Sequence, residues 1–567
     1  MEKDRTVAEA IASCLARHGV ERLFSQSLPS AMVLACEDLG IRQYTYRTEN
    51  AGGAMADGYA RMSHKVGVVT AQNGPAATLL VPPLAEALKS SVPVVALVQE
   101  VDRPTADRNA FQELDHIALF QGVTKWVRRV TEPGRVEDYV DMAFGAATSG
   151  RPGPVALLLP ADLLKEPATS AGARSACLGR FPLDRVLADP ERLEAAATLL
   201  AEAKQPVVMA GGGIHLSGAA HELARLQETA HLPVMTTVMG KGAVDERHPL
   251  SLGVGGNVLG THSPSRALRP LVEQADVVLL VGTRTAQNGT DSWSMFSPGT
   301  RFIHLDIDPG EIGRNYEGLR LVGDAKLTLA ALAQRLAGRR QRSATVVDAI
   351  ARARAEHAVA IAPRLASDQS PVRPERLMAD LTTVLTPETV VVADASYSTV
   401  WVACYLRSLA PGMRFLTPRG IAGLGWGLPM AMGARVANPA APVLCIAGDG
   451  GFGHVWSELE TARRNDTAVV VTVLNNGVLA YQKDAEDVKF GRHTAACVFS
   501  PVDHAQVARA CGCRGVRIER AADYLPAVRE ALAAGGTTVI DVITDPDAYP
   551  PITLFDRKLD EVRRSRA

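Results

Sequence analysis

A chain of 567 residues with 47% hydrophobic content has apolar mass for about three or four separate cores. Its 60 basic residues balance 61 acidic ones, so no net field draws it to nucleic acid, and no run of about 18 apolar residues marks a membrane span. The charged start Met1-Glu2-Lys3-Asp4-Arg5 leads into no signal-peptide pattern, and eight scattered cysteines without zinc spacing point to free thiols in a cytoplasmic protein.

The first segment, residues 1–165, opens with an amphipathic helix over Thr6 to His18. Apolar runs between polar turns predict strands near Arg22-Phe24, Gln43-Tyr46, Val66-Thr70, Val94-Val98 and Val155-Leu159. Lys165 to Asp184 is rich in small residues, has no periodicity and reads as a linker. A second segment, 185–338, carries strands near Pro206-Ala210, Pro233-Thr236, Val277-Val281 and Phe302-Asp306. The basic run Gly338 to Ser343 marks the next boundary. The third segment, 365–550, carries strands near Thr389-Ala393, Val443-Ile446, Val469-Leu474, Gly515-Arg517 and Thr538-Ile543. Strands alternate with helical patterns throughout, and aromatics are few beside abundant Ala, Val, Leu and Gly. Both features predict α/β architecture, with parallel sheets covered by helices.

One constellation in the third segment carries chemistry. Gly448-Asp449-Gly450-Gly451 follows an apolar strand, and Asn475-Asn476 follows the next strand, 26 positions after the aspartate. Phe452 to Arg464 between them has helical periodicity. In an open α/β sheet, ligands bind beyond the C-terminal strand ends. A carboxylate and an amide oxygen there suit Mg2+, which takes oxygen ligands in octahedral geometry. Asp449, the Asn476 side chain and the Val478 carbonyl are the candidate metal ligands. The glycines let backbone N–H groups close on a phosphate. Either motif alone is an ordinary turn; the pair at this spacing is far more specific.

This pattern resembles the thiamine diphosphate signature, and the tripartite plan from Thr6 to Asp547 resembles the large subunit of acetolactate synthase and its relatives. The resemblance implies three doubly wound parallel-sheet domains: pyrimidine-binding, central and diphosphate-binding. It implies thiamine diphosphate and Mg2+ as cofactors. Gly448, Gly450, Gly451, Asn476 and Leu479 fall at the cofactor-binding positions of the third segment. Leu424, in the glycine-rich stretch Gly420 to Pro429, falls where the family wedges an apolar residue between the cofactor's rings. Tyr397 and Ser398 fall beside the diphosphate, where relatives often carry Gln and His.

Thiamine chemistry needs a carboxylate hydrogen-bonded to the aminopyrimidine ring. The family places it after a strand and ahead of a small-residue helix. Gln43 to Asn50, followed by Ala51 to Arg61, matches that pattern and singles out Glu49. Ala110-Phe111-Gln112-Glu113 matches an acetolactate synthase pattern and places Gln112 against the bound intermediate or acceptor. In the family the cofactor lies between one subunit's first domain and another's third. A homodimer or homotetramer with active sites between subunits follows.

Several stretches depart from acetolactate synthase. Ser25 to Ser30 replaces a Pro-Gly-Gly loop, and Ala485 replaces a tryptophan that helps select the acceptor. Thr285 to Thr290 follows Val281-Gly282-Thr283-Arg284 where flavin-contacting relatives carry Asp-Asp-Arg, which leaves FAD open. Ala210 to Gly213 and Asp306 remain candidates for a dinucleotide or ADP site. The reading is an acetolactate synthase-like enzyme that decarboxylates a 2-oxo acid and joins the remaining acyl unit to a second carbonyl compound. A non-oxidative 2-oxo acid decarboxylase and a benzaldehyde-lyase-like enzyme acting on 2-hydroxy ketones are the alternatives. A protonating His-His pair, usual in simple decarboxylases, is replaced by Glu113-Leu114-Asp115-His116.

Overall fold

The computed structural model describes residues 5–168, 174–556 and 558–564. The first four residues of the charged start and positions 169–173 of the expected linker lie outside the described residues.

Eighteen strands form three six-stranded sheets, and every pairing is parallel. The first sheet contains β1 (Arg22–Ser25), β2 (Arg42–Thr45), β3 (Gly67–Ala71), β4 (Val94–Glu100), β5 (Trp126–Arg129) and β6 (Val155–Pro160). Its strand order is β2-β1-β3-β4-β6-β5. The second contains β7 (Pro206–Ala210), β8 (Val234–Thr236), β9 (Ser251–Val254), β10 (Val277–Val281), β11 (Arg301–Asp306) and β12 (Gly318–Val322). Its order, β12-β11-β10-β7-β8-β9, is that of the dinucleotide-binding fold. The third contains β13 (Val390–Ala393), β14 (Phe415–Leu416), β15 (Val443–Gly448), β16 (Val470–Asn475), β17 (Arg514–Ile518) and β18 (Thr538–Ile543). Its order, β14-β13-β15-β16-β18-β17, repeats that of the first sheet.

Helices cover both faces because the inner strands are apolar on both. β3, β7 and β10 are buried at every position. Each expected strand is present. β5, β9, β12 and β14 were not expected, and each lies at a sheet edge. One helical expectation is corrected: Phe452 to Arg464 is not continuous but is divided between Asp449–Phe452 and Glu458–Arg464. The interruption spans Gly453 to Ser457. Within the first piece glycine is needed at 451, where a Cβ would lie 2.2 Å from Oδ2 of Asp394, the acid at the end of β13.

The helices Glu49–Ser63 and Gly427–Ala437 join the first and third sheets and form the most extensive contact between any two elements. Glycine makes that approach possible. A Cβ on Gly58 would fall 2.2 Å from the Met430 carbonyl oxygen, and one on Gly433 would fall 2.0 Å from that of Met55. All eight cysteines are free thiols. Among the described residues, no helix is long and apolar enough to cross a membrane.

Candidate active site

The strand order of the third sheet reverses between β13 and β15, and a cavity of about 470 Å3 opens at that point. Gly448 to Gly451, Asn476, Val478 and Leu479 line one side, and Tyr397, Ser398 and Leu424 also line it. The third-segment residues singled out in the sequence therefore converge on one cavity.

Asp449 is buried, and burial pushes its carboxyl up to about 6. Its Oδ2 accepts from the Gly477 N–H at 2.7 Å and its Oδ1 from the Gly450 N–H at 3.0 Å. Those two bonds fix the acid against the loop after β16. Asn476 Oδ1 accepts from the Val478 N–H at 3.2 Å, which curls the same loop so that both residues face the cavity. Asn475 is turned away. Its amide donates to Asp541 Oδ1 and to the Val502 carbonyl, both at 2.9 Å, and pins the loop to the sheet.

Asp394 plays a part that strand-end position alone did not reveal. Its oxygens accept from the Gly425 N–H at 3.0 Å and from those of Trp426 and Gly427 at 3.2 Å. It clamps the glycine loop and holds Leu424 at the cavity wall. Burial raises the Asp394 carboxyl, and the backbone donors oppose that shift. The Tyr397 hydroxyl donates to Asp484 Oδ2 at 2.6 Å, so its oxygen is tied to the helix Ala480–Phe490. Ala485, at the position where acetolactate synthases carry a tryptophan, packs against the core of the third sheet.

Glu49 opens the helix Glu49–Ser63, capped by Thr48, whose hydroxyl accepts from the Ala51 N–H at 3.3 Å. The side chain is 7% exposed. Burial raises its carboxyl above the ordinary glutamate range, its own N–H opposes this, and the Glu458 charge adds to it. Glu458 in turn accepts from the Arg47 N–H at 3.2 Å and the Thr48 N–H at 3.0 Å. Glu49 does not line the third-sheet cavity of its own chain, nor does any other residue of the first segment.

Gln112 lies in a separate cleft with Glu113 and His116. It adopts φ +61°, and its Oε1 accepts from Gln72 Nε2 at 2.7 Å. Asn73 holds the Gln112 carbonyl at 3.1 Å. Behind this loop, buried His116 accepts the Gly74 N–H on Nε2 at 3.0 Å and donates from Nδ1 to Glu100 at 3.2 Å. Arg129 completes the chain by pairing with Glu100. Sequence reasoning missed this relay because its members are spread across β4, β5, the turn at Gly74 and the start of the helix His116–Gln121.

A second cavity, of about 320 Å3, opens in the central sheet where the order reverses between β7 and β10. Gly211 to Gly213, Gly282 to Arg284 and Asp306 line it. Glycine is required at 211, where a Cβ would lie 2.4 Å from the Gly282 oxygen. Burial pushes Asp306 up to about 6 and lowers Arg284.

Family models agree with this geometry. Residues 5–119 match the N-terminal TPP binding domain of thiamine pyrophosphate enzymes, 193–332 their central domain and 394–542 their C-terminal TPP binding domain. The chain is 33% identical to a probable acetolactate synthase large subunit of Methanocaldococcus jannaschii, covering 96% of this chain and 93% of that one. It is 32% identical to an acetolactate synthase of Arthrospira platensis, over 96% of both chains. The match to an acetolactate synthase of Mycobacterium bovis is 31%, over 99% of this chain and 92% of the other. The chain belongs to the thiamine pyrophosphate enzyme family. It is a thiamine pyrophosphate-dependent enzyme whose three sheets are the family's three domains.

Proposed function

We propose that this enzyme is an acetolactate synthase-like carboligase that uses thiamine diphosphate and Mg2+. The observation that carries the reading is the convergence of Asp449, Asn476, Val478, Leu479 and Leu424 on one switch-point cavity. The donor set fits a hard cation: the Asp449 carboxylate, the Asn476 amide oxygen and the Val478 carbonyl would hold it, and oxygen ligands are what Mg2+ takes. Among the described residues, no group of three or more His, Cys, Asp or Glu side chains is placed to hold a metal, so the site depends on the cofactor's own oxygens. The space around Gly448, where a Cβ would meet nothing nearer than Ser398 Oγ at 3.8 Å, leaves room for the diphosphate. When bound, thiamine diphosphate supplies a carbon nucleophile and an electron sink.

Asp449 and Asn476 would hold the cofactor tail, Leu424 would pack against its rings, and Tyr397 and Ser398 would lie beside the diphosphate. Glu49 would hold a proton at the aminopyrimidine ring; a buried carboxyl whose proton affinity is raised is suited to that exchange. Gln112 contacts the substrate. Because no residue of the first segment lines the third-sheet cavity, a second copy supplies Glu49, and a homodimer or homotetramer is the working unit. The domains are assigned as 1–165, 185–338 and 365–550. We propose an anionic nucleotide, FAD or ADP, for the central cavity; the visible absorption spectrum of the purified protein decides between a flavin and none.

The relatives named above support carboligation. Purified enzyme with thiamine diphosphate and Mg2+ should be given pyruvate, branched and aromatic 2-oxo acids, each with and without an aldehyde acceptor. Ligated 2-hydroxy ketone or 2-hydroxy-3-oxo acid is the expected product. Free aldehyde alone would replace this reading with simple decarboxylation. Cleavage of a 2-hydroxy ketone without turnover of any 2-oxo acid would replace it with a lyase.

A further inference from the structure

Cations around the two cavities are mostly committed to carboxylates. Arg151 pairs with Glu311 and Asp308, Arg185 with Asp324, Lys241 with Glu246, and Arg61 with Asp57 and Glu86. Arg419 is different. Among the described residues, no carboxylate stands within ion-pair distance of its guanidinium, and no side chain or carbonyl accepts a hydrogen bond from it. Burial lowers its pKa, which the Tyr481 and Glu86 charges oppose. Glu86 itself is occupied elsewhere: its two oxygens accept the Gly420 and Ile421 N–H groups, each at 2.7 Å. A partly buried guanidinium with no counter-charge is costly unless an anion arrives to meet it.

Position narrows the identity of that anion. Arg419 lines the third-sheet cavity and the central cavity alike, so it stands in their common wall together with Asn288. It precedes Leu424 by five residues on the loop that Asp394 clamps. The diphosphate end of the cavity is supplied by Asp449, Asn476 and the strand-end glycines on β15 and β16. The central cavity has its own uncommitted guanidinium, Arg284. The remaining anion is the one that must stand next to the reacting end of the cofactor: the carboxylate of a 2-oxo acid.

We propose that Arg419 is the carboxylate anchor of the substrate pocket, selecting 2-oxo acids over neutral carbonyl compounds. The assignment deepens the proposed function and rests on it. Arg is suited to the task, because its planar fork meets both carboxylate oxygens at once.

The test uses holoenzyme loaded with thiamine diphosphate and Mg2+, in the wild-type, Arg419→Met and Arg419→Lys forms. Calorimetry measures binding of methyl acetylphosphonate and methyl benzoylphosphonate, anionic mimics of 2-oxo acids, and of methyl pyruvate, a neutral ester. Thiamine diphosphate affinity is measured on the same preparations and also reports that the variants fold. Arg419→Met should weaken the phosphonates by about 100-fold and the ester by less than about threefold, with cofactor affinity held within about twofold. Arg419→Lys should recover part of the phosphonate loss, since charge remains and the fork does not. Unchanged phosphonate affinity in Arg419→Met overturns the anchor alone. A fall of about tenfold or more in thiamine diphosphate affinity assigns Arg419 to the cofactor tail instead, and loss of ADP binding with unchanged phosphonate affinity assigns it to the central cavity; both overturn the anchor. Wild-type holoenzyme that binds neither phosphonate and consumes no 2-oxo acid overturns the reaction assignment together with the anchor.

Discussion

The first and third sheets share one strand order and differ almost entirely in the chemistry at their strand ends. Beyond β15 and β16 stand Asp449, glycines and Asn476, an oxygen-rich site with open space for phosphate. Beyond β2 and β3 stand Glu49 and the amides Gln72 and Asn73, and beyond β4 the His116–Glu100–Arg129 relay. The fold makes a concavity at the strand ends in both cases; the side chains there decide whether it holds a tail or works on a ring. On the proposed function, one sheet would anchor the cofactor and the other would handle protons.

The sharpest way to break that division is at its two acids. Glu49→Gln should lower turnover by about 1,000-fold or more while thiamine diphosphate affinity, read by calorimetry, stays within about threefold. The fold should not suffer. A carboxyl raised by burial takes up a proton more readily in the folded state than in the unfolded chain. It therefore costs stability as pH rises through its folded pKa, and the neutral amide removes that cost. Thermal unfolding at pH 8 should show the variant equal to or above the parent; a large fall would mean Glu49 is structural. Asp449→Ala should do the converse, weakening cofactor binding about 100-fold at fixed Mg2+. If Asp449 is a metal ligand, its protonation below about 6 would compete with Mg2+, and Mg2+-dependent cofactor affinity should fall about tenfold between pH 7.5 and pH 5. A flat profile would count against Asp449 as a ligand.

The joint between the two sheets can be tested separately. Gly433→Val drives a side chain into the Met55 carbonyl and should cost about 1–3 kcal/mol of stability by chemical denaturation. It acts on the packing of both sheets and on neither acid directly. The smallest effect is expected at Gln112. Gln112→Asn keeps an amide, and asparagine tolerates the positive φ, but the reach shortens. A fall of about tenfold in kcat/KM with unchanged cofactor affinity would place Gln112 at the substrate, and no change would leave it as a loop residue.

Strands inside the sheets were legible as continuous apolar runs, because parallel strands with helices on both faces have no solvent side. The four strands not foreseen are edges. β5 reads Trp-Val-Arg-Arg with both arginines exposed, β12 interleaves Arg320 with Leu319 and Leu321, β9 contains a positive-φ glycine at 253, and β14 has two residues. An edge strand is dry on one side only, so its apolar pattern is short and broken. The helix expected over Phe452 to Arg464 is interrupted by turns at Gly453 to Ser457, which a local periodicity does not reveal.

The sequence alone determined the α/β class, the family and the glycine–aspartate and double-asparagine loops, because strand periodicity and motif spacing are properties of neighbours along the chain. Only the tertiary structure decided that Asp394 clamps the Leu424 loop, that Asn475 turns toward Asp541, that Ala485 packs into the core, and that Arg419 alone of the two cavities' shared wall carries an unanswered charge. Whether a polar group is committed or free depends on what distant segments bring within about 3–4 Å of it, and no one-dimensional spacing encodes that.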